Sequence, residues 1–244
     1  MENTFQKICR LEDVRHHFKD KQSILFGGFG GIGTPPGLIN LILESGIKDL
    51  TLIGNDTGFP DIGIGKLVTQ RRAKKVIVSH IGSNPNAGKL MNNGELEVEF
   101  SPQGTLVERI RAGGMGLGGI LTDIGIEADI VRNGKQTVKL GKKNYLVEPA
   151  LTADIAIVYA EKADPYGNLI FDKSARNTNP IVAAAGQITI VEAKQIVPLG
   201  TLDPEDIIVP GAFVDYIIPS KGVDWKWVWE PEIGTESQNA QQRK

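Results

Sequence analysis

Residues 27–37 read GGFGGIGTPPG, a run almost without side chains, set between the apolar tetrad SILF at 23–26 and an amphipathic segment. Where the helix after it begins decides the fold. Gly28-Phe29-Gly30-Gly31-Ile32-Gly33 satisfies G-x-G-x-x-G, and Asp56, near the end of the next apolar run, lies roughly where a ribose-binding acid would stand. In a dinucleotide site, however, the helix starts inside the glycines. That would bury Pro35 and Pro36 in its ladder, where their missing N–H groups break it. Thr34 suits an N-cap and Pro35 a first helical position, so the glycines form a loop ahead of the helix. A Walker loop fails because Gly33 is followed by Thr34 and not by lysine. What remains is a loop offering backbone N–H groups to an anion, a carbonyl or a flat ligand chain, or else a plain tight turn between strand and helix.

Outward from this loop, LTLI at 50–53, VIVS at 76–79 and LEVEF at 96–100 alternate with helical stretches. PPGLINLILESG gathers Leu38, Leu41 and Ile42 on one face, and PQGTLVERIRAGG does the same with Leu106, Val107 and Ile110. This rhythm predicts an α/β fold with a mostly parallel sheet flanked by helices. Turn signals at Asn133-Gly134 and Gly141-Lys142-Lys143-Asn144 predict a small antiparallel insertion over 129–149. ADIAIVYA, IVAAAG and ITIVEA then resume the α/β pattern, with IIVPG and VDYIIP as late strands. One domain over 1–220 is expected, followed by an extension, 221–244, that holds Trp225, Trp227 and Trp229 and ends in a polar tail expected to be disordered. The tryptophans fit either packing on their own domain or a partner interface.

The composition narrows the partners. Of the 244 residues 23% are charged and the net charge is −2, without the basic excess that nucleic acid or an anionic membrane would demand. The single cysteine, Cys9, forms no internal disulfide, and no Cys/His cluster suggests a metal. The N-terminus lacks a signal-type apolar segment, and no apolar run approaches the ~20 residues a membrane span needs. A soluble, cytoplasmic protein is expected.

The residues around the loop resemble class I coenzyme A transferases, specifically the α subunit of the acetate/butyrate:acetoacetate type. The likeness is carried by Asp20-Lys21-Gln22-Ser23 leading through Ile24-Leu25-Phe26 into GGFGGIG. It continues through LTLIGNDTG, VIVSHIGSNP, SPQGTLVERIRAGGMGLGG, GNLIF, SARNTNP and IIVPGAFVDYII, from about Leu11 to Ser220. Lys21 departs from the Gly or Asn usual after Asp20. A larger departure is that the family's second signature, a Ser-Glu-Asn-Gly turn bearing the nucleophilic glutamate, occurs nowhere in the chain. The resemblance therefore implies a separate α subunit, with the glutamate on a β subunit in an α2β2 or higher assembly. It also implies acyl-CoA and a short-chain carboxylic acid as substrates, with no permanently bound cofactor and no metal.

The same resemblance gives roles to particular residues. Gln103, by pattern alone a turn or capping residue, becomes an oxyanion-hole donor. Asn55, by pattern an Asx turn, becomes a substrate-binding residue, while Asp56 reads equally well as structural. Gly27, Gly28, Phe29, Gly30, Gly31, Ile32 and Gly33 become the surface facing CoA. His16, His17 and His80 read as structural. The second glycine run, Gly113 to Gly119, is either a pocket wall, a tight subunit contact or a connector. Two other functions stay open on the sequence: a non-catalytic binding protein on the same scaffold, and a nicotinamide-dependent oxidoreductase.

Overall fold

The structure, a computed structural model, describes residues 3–225. Trp227, Trp229 and the polar tail lie outside them. After a 3-10 turn at Leu11–His17 the elements run β1 (Ser23–Phe26), α1 (Pro36–Glu44), β2 (Leu50–Ile53), α2 (Gly65–Thr69), β3 (Ala73–Val78), α3 (Pro85–Asn92), β4 (Glu97–Phe100) and α4 (Gln103–Gly114). Next come β5 (Gly119–Thr122), α5 (Asp129–Arg132), β6 (Thr137–Leu140), β7 (Lys143–Pro149), β8 (Ala153–Ala163), β9 (Leu169–Ile170), α6 (Asn179–Ala185), β10 (Gly186–Ile196) and β11 (Tyr216–Pro219).

The main sheet has the order β11-β10-β8-β1-β2-β3-β4, parallel throughout, with β9 added antiparallel to β8. Its strands read as continuous apolar runs because both faces are covered. Alternate residues of β1 enter separate cores: Ile24 and Phe26 pack with Leu38, Leu41 and Ile42 of α1, whereas Leu25 packs with Leu106 and Ile110 of α4 and Val182 of α6. The strand order reverses at β1, flanked by β2 on one side and β8 on the other. In an open α/β sheet, the crevice beyond the carboxyl ends at such a reversal is where ligands bind.

Three expectations need correction. Helix α1 starts one residue late: Pro35 occupies the N-cap position and Pro36 opens the helix. The Thr34 hydroxyl, expected as the cap, instead donates to the Gly31 carbonyl at 2.6 Å. The cap comes from Glu192 on β10, whose Oε2 accepts from the amides of Gly37 (2.7 Å) and Leu38 (3.1 Å). Burial pushes the Glu192 carboxyl up, partly offset by the Ser220 hydroxyl and these two amides. Secondly, the antiparallel excursion is a three-stranded sheet, β5-β7-β6, which recruits β5 from ahead of residue 129 and opens on the short helix α5. Thirdly, IIVPG forms no strand. It holds a single bridge, Val209 to Leu169, between two 3-10 turns, because Pro210 has no amide to extend a ladder.

Arg109, buried on α4, fastens the small sheet to the large one. Its guanidinium meets Glu99 of β4 at 3.0 Å and donates to the Pro149 carbonyl at 2.9 Å, with Glu148 of β7 at 3.6 Å. Among the described residues no helix is long and apolar enough to cross a membrane.

Candidate active site

The carboxyl ends of β1, β2 and β4 deliver the glycine loop, Asn55 and Gln103 to one edge of the sheet. Gln103, first residue of α4, donates from Nε2 to Asn55 Oδ1 at 2.7 Å. Asn55 is buried and held from behind. Its Nδ2 donates to Asp56 Oδ2 at 2.7 Å, and the Ser79 hydroxyl donates to its carbonyl at 2.8 Å. The structure thus brings together the two polar side chains singled out in the sequence and leaves the Gln103 amide a second N–H.

Asp56 is committed elsewhere. Its carboxylate accepts from the amides of Gly30 and Gly58, both at 2.8 Å, and from Asn55. No oxygen is left unengaged for a ribose, which with the position of Pro36 removes the basis for a dinucleotide site.

The glycine loop is braced rather than open. Phe29 and Ile32 exchange both backbone hydrogen bonds (2.9 and 3.1 Å), and Gly27 donates to the Ile157 carbonyl. Gly28 donates to Asn177 Oδ1 (2.9 Å), whose Nδ2 returns to the Ile32 carbonyl (2.9 Å), and Asn179 Nδ2 donates to the Gly33 carbonyl (2.9 Å). The amides of Gly27, Gly28, Phe29, Gly30 and Ile32 are therefore satisfied within the chain, contrary to the expected surface of exposed N–H groups. Glycine is required for closeness and for φ: at Gly33 (φ +84) a Cβ would fall 2.5 Å from the Ala175 carbonyl oxygen, and at Gly31 (φ +97) 2.6 Å from Ile62. Ile62 belongs to a second turn of the same build, in which Phe59 bridges Ile62. Gly28-Phe29-x-x-Ile32-Gly33 and Gly58-Phe59-x-x-Ile62-Gly63 are a legible repeat that the sequence reading passed over, as it did the roles of Asn177 and Asn179.

These parts border an open cavity of about 880 Å³. Phe29, half exposed at 51%, is the point of the glycine loop that meets it. One wall is the face of α4 carrying Gln103, Gly104, Val107 and Glu108, spaced four apart so that they share a side. The lining also takes in Ile120, Leu121 and Thr122 of β5 with Ile124, and Asn177 with Thr178. Glu108 is tied to Arg111 at 2.7 Å. The second glycine run is not part of this lining. Gly113 and Gly114 instead let α4 approach Leu151 and Ala184 closely, where a Cβ would fall 2.1 and 2.9 Å away. Among the described residues no group of three His, Cys, Asp or Glu side chains could hold a metal ion.

Comparison with known proteins agrees with this layout. The coenzyme A transferase family model matches residues 10–220. A Bacillus subtilis protein named probable coenzyme A transferase subunit alpha is 55% identical over 226 residues, 93% of this chain and 99% of its own. The acetate CoA-transferase subunit alpha of Escherichia coli is 50% identical, covering 88% of this chain and 97% of its own, and the acetoacetyl-CoA:acetate/butyrate CoA transferase alpha subunit of Clostridium acetobutylicum is 46% identical over 87% and 97%. Among solved structures, an acyl-CoA transferase from Escherichia coli O157:H7 in a thioester complex with CoA superposes with a TM-score of 0.80 at 23% identity, over 87% of this chain and 47% of that longer one. At that identity the likeness establishes the fold.

Proposed function

Because the chain belongs to the coenzyme A transferase family, we propose that it is the α half of a two-chain enzyme whose β subunit supplies the nucleophilic glutamate. The enzyme moves CoA between a short-chain acyl-CoA, such as acetyl- or butyryl-CoA, and acetoacetate or a similar 3-oxo acid. Relatives named alpha subunits of acetate and acetoacetyl-CoA:acetate/butyrate transferases support this substrate class. The observation that carries the reading is the Gln103–Asn55 pair in the lining of a large, mostly apolar cavity.

The reaction runs as a covalent relay. An oxygen of the partner's glutamate bonds to the thioester carbonyl carbon, and the C–S bond breaks to release CoA thiolate and an acyl anhydride. The thiolate then attacks the glutamyl carbonyl, which frees the first acid as its carboxylate and leaves a glutamyl-CoA thioester. The second acid repeats both steps in reverse. Each tetrahedral species carries an oxyanion, and fixed donors stabilise it without reorganising. Gln103 is such a donor, since Asn55 accepts one of its N–H groups and sets the plane of the amide. Leu121 and Ile124 offer an apolar surface to a short acyl chain, and the braced loop shapes the site through Phe29. The assembly proposed is α2β2.

The test is to purify the chain alone and with its β subunit and to assay acetoacetyl-CoA formation from acetyl-CoA and acetoacetate. Activity is expected only in the pair, and full activity in the lone chain would overturn the division of the site.

A further inference from the structure

The glycine loop contains four residues with positive φ, Gly28, Gly30, Gly31 and Gly33, so its shape depends on what holds it. Three restraints, from Asp56, Asn177 and Asn179, lie inside the span matched by the family model. A fourth comes from beyond residue 220. There the chain turns at Gly222, whose amide donates to the Ser220 hydroxyl at 3.2 Å, and runs back over the domain. Asp224 pairs with Lys66 of α2. The Trp225 ring stands edge-on to Tyr159, centroids 4.8 Å apart at 76°, and its Nε1–H donates to the Thr34 carbonyl at 3.0 Å. Thr34 in turn donates to Gly31, the residue packed on Ile62. Trp225 also borders a small cavity of about 210 Å³ together with Ala175, from the segment that carries Asn177. It does not line the large cavity; its contacts are with Tyr159 and with the loop at Thr34.

We propose that Trp225 is a positioning residue for the transfer reaction. Its indole N–H holds the Thr34 carbonyl, and through Thr34 the Gly31 turn that presents Phe29 to the cavity, so that the acyl-CoA meets a preformed wall. The proposal rests on the function proposed above. A loop ordered before binding needs no further ordering by the ligand, and loss of the restraint weakens substrate binding without touching the reacting atoms.

The experiment uses the full two-chain complex with acetyl-CoA and acetoacetate. Trp225→Phe keeps a ring against Tyr159 and removes the donor. It is expected to raise KM for acetyl-CoA about fivefold, the value of one hydrogen bond, with kcat within about twofold of the parent. Ending the chain after Trp225 should leave KM at its full-length value, and ending it after Ser220 should raise it at least as far as Trp225→Phe does. These two truncations decide the matter if the point variant proves insoluble. An unchanged KM for Trp225→Phe or for the chain ended at Ser220, or a fall in kcat at constant KM, overturns the role given to Trp225 while leaving the transferase reading intact. A parent complex that exchanges no CoA overturns that reading, and this proposal with it.

Discussion

Replacing Gln103 by alanine separates chemistry from architecture at one position. The side chain is exposed and, among the described residues, makes a single hydrogen bond, Nε2 to Asn55 Oδ1 at 2.7 Å. Its structural value is therefore that of one ordinary hydrogen bond, about 0.5–1.5 kcal/mol. A preorganised donor to a developing oxyanion is worth more, a factor of roughly 10²–10³ in kcat, or about 2.7–4 kcal/mol. Gln103→Ala in the two-chain complex is thus expected to lower kcat for acetyl-CoA plus acetoacetate by at least about 100-fold while shifting the urea midpoint only slightly. Gln103→Glu should be as poor, since a carboxylate facing the oxyanion repels it. Asn55→Ala should cost nearly as much, and the double variant little more than either single one, because Asn55 acts by fixing the Gln103 amide. A kcat for Gln103→Ala within tenfold of the parent, about 1.4 kcal/mol, would refute the donor role and return Gln103 to a turn residue.

Further outcomes follow from the same geometry. Glu108 is a carboxylate on the cavity wall, so Glu108→Gln tests whether this chain holds the nucleophile. Activity should stay close to that of the parent, since the exposed pair with Arg111 contributes little, whereas abolition would place the nucleophile here. Arg109→Met removes the guanidinium from Glu99 and from the Pro149 carbonyl and so unfastens the small sheet, while the buried Glu148 keeps its pair with Lys135 at 2.6 Å, and chemical denaturation should show a loss of about 1.5–3 kcal/mol. Burial raises the Glu99 carboxyl, but the Arg109 guanidinium and Lys75 ammonium outweigh it and hold the group below its ordinary range. A depressed carboxylate stabilises the fold above its unfolded pKa and loses that contribution as pH falls through the folded one. Stability of the parent should therefore fall more steeply than that of Glu99→Gln below about pH 4, and parallel curves would contradict the assignment.

The local signals were legible because they report short-range physics. β1, β2 and β8 announce themselves as apolar runs, since strands buried on both faces have no polar side to show. Pro35 and Pro36 exclude a helix within the glycines on covalent grounds alone. What stayed hidden depends on partners far along the chain. Glu192 caps α1 from 155 residues away, so Thr34, the local candidate, was freed to brace Gly31. Asn177 and Asn179 take up the Gly28 amide and the Gly33 carbonyl from 149 and 146 residues away, contacts that no pattern local to the loop announces. The strand β5 escaped notice because Gly118 and Gly119 obscure its short alternation, and its pairing with β7 becomes visible only once α4 is docked. Asn55 and Gln103, by contrast, are 48 residues apart and meet because each follows the end of a parallel strand.

The central claim is that this chain provides half of an active site whose attacking carboxylate belongs to another polypeptide. It is tested most directly by treating the two-chain complex with acetyl-CoA, trapping the covalent intermediate and locating the CoA-bearing glutamate by peptide mass spectrometry. The account predicts a glutamyl-CoA adduct on the β subunit, with every glutamate of this chain unmodified. An adduct on Glu108, or on any other residue of this chain, would contradict it.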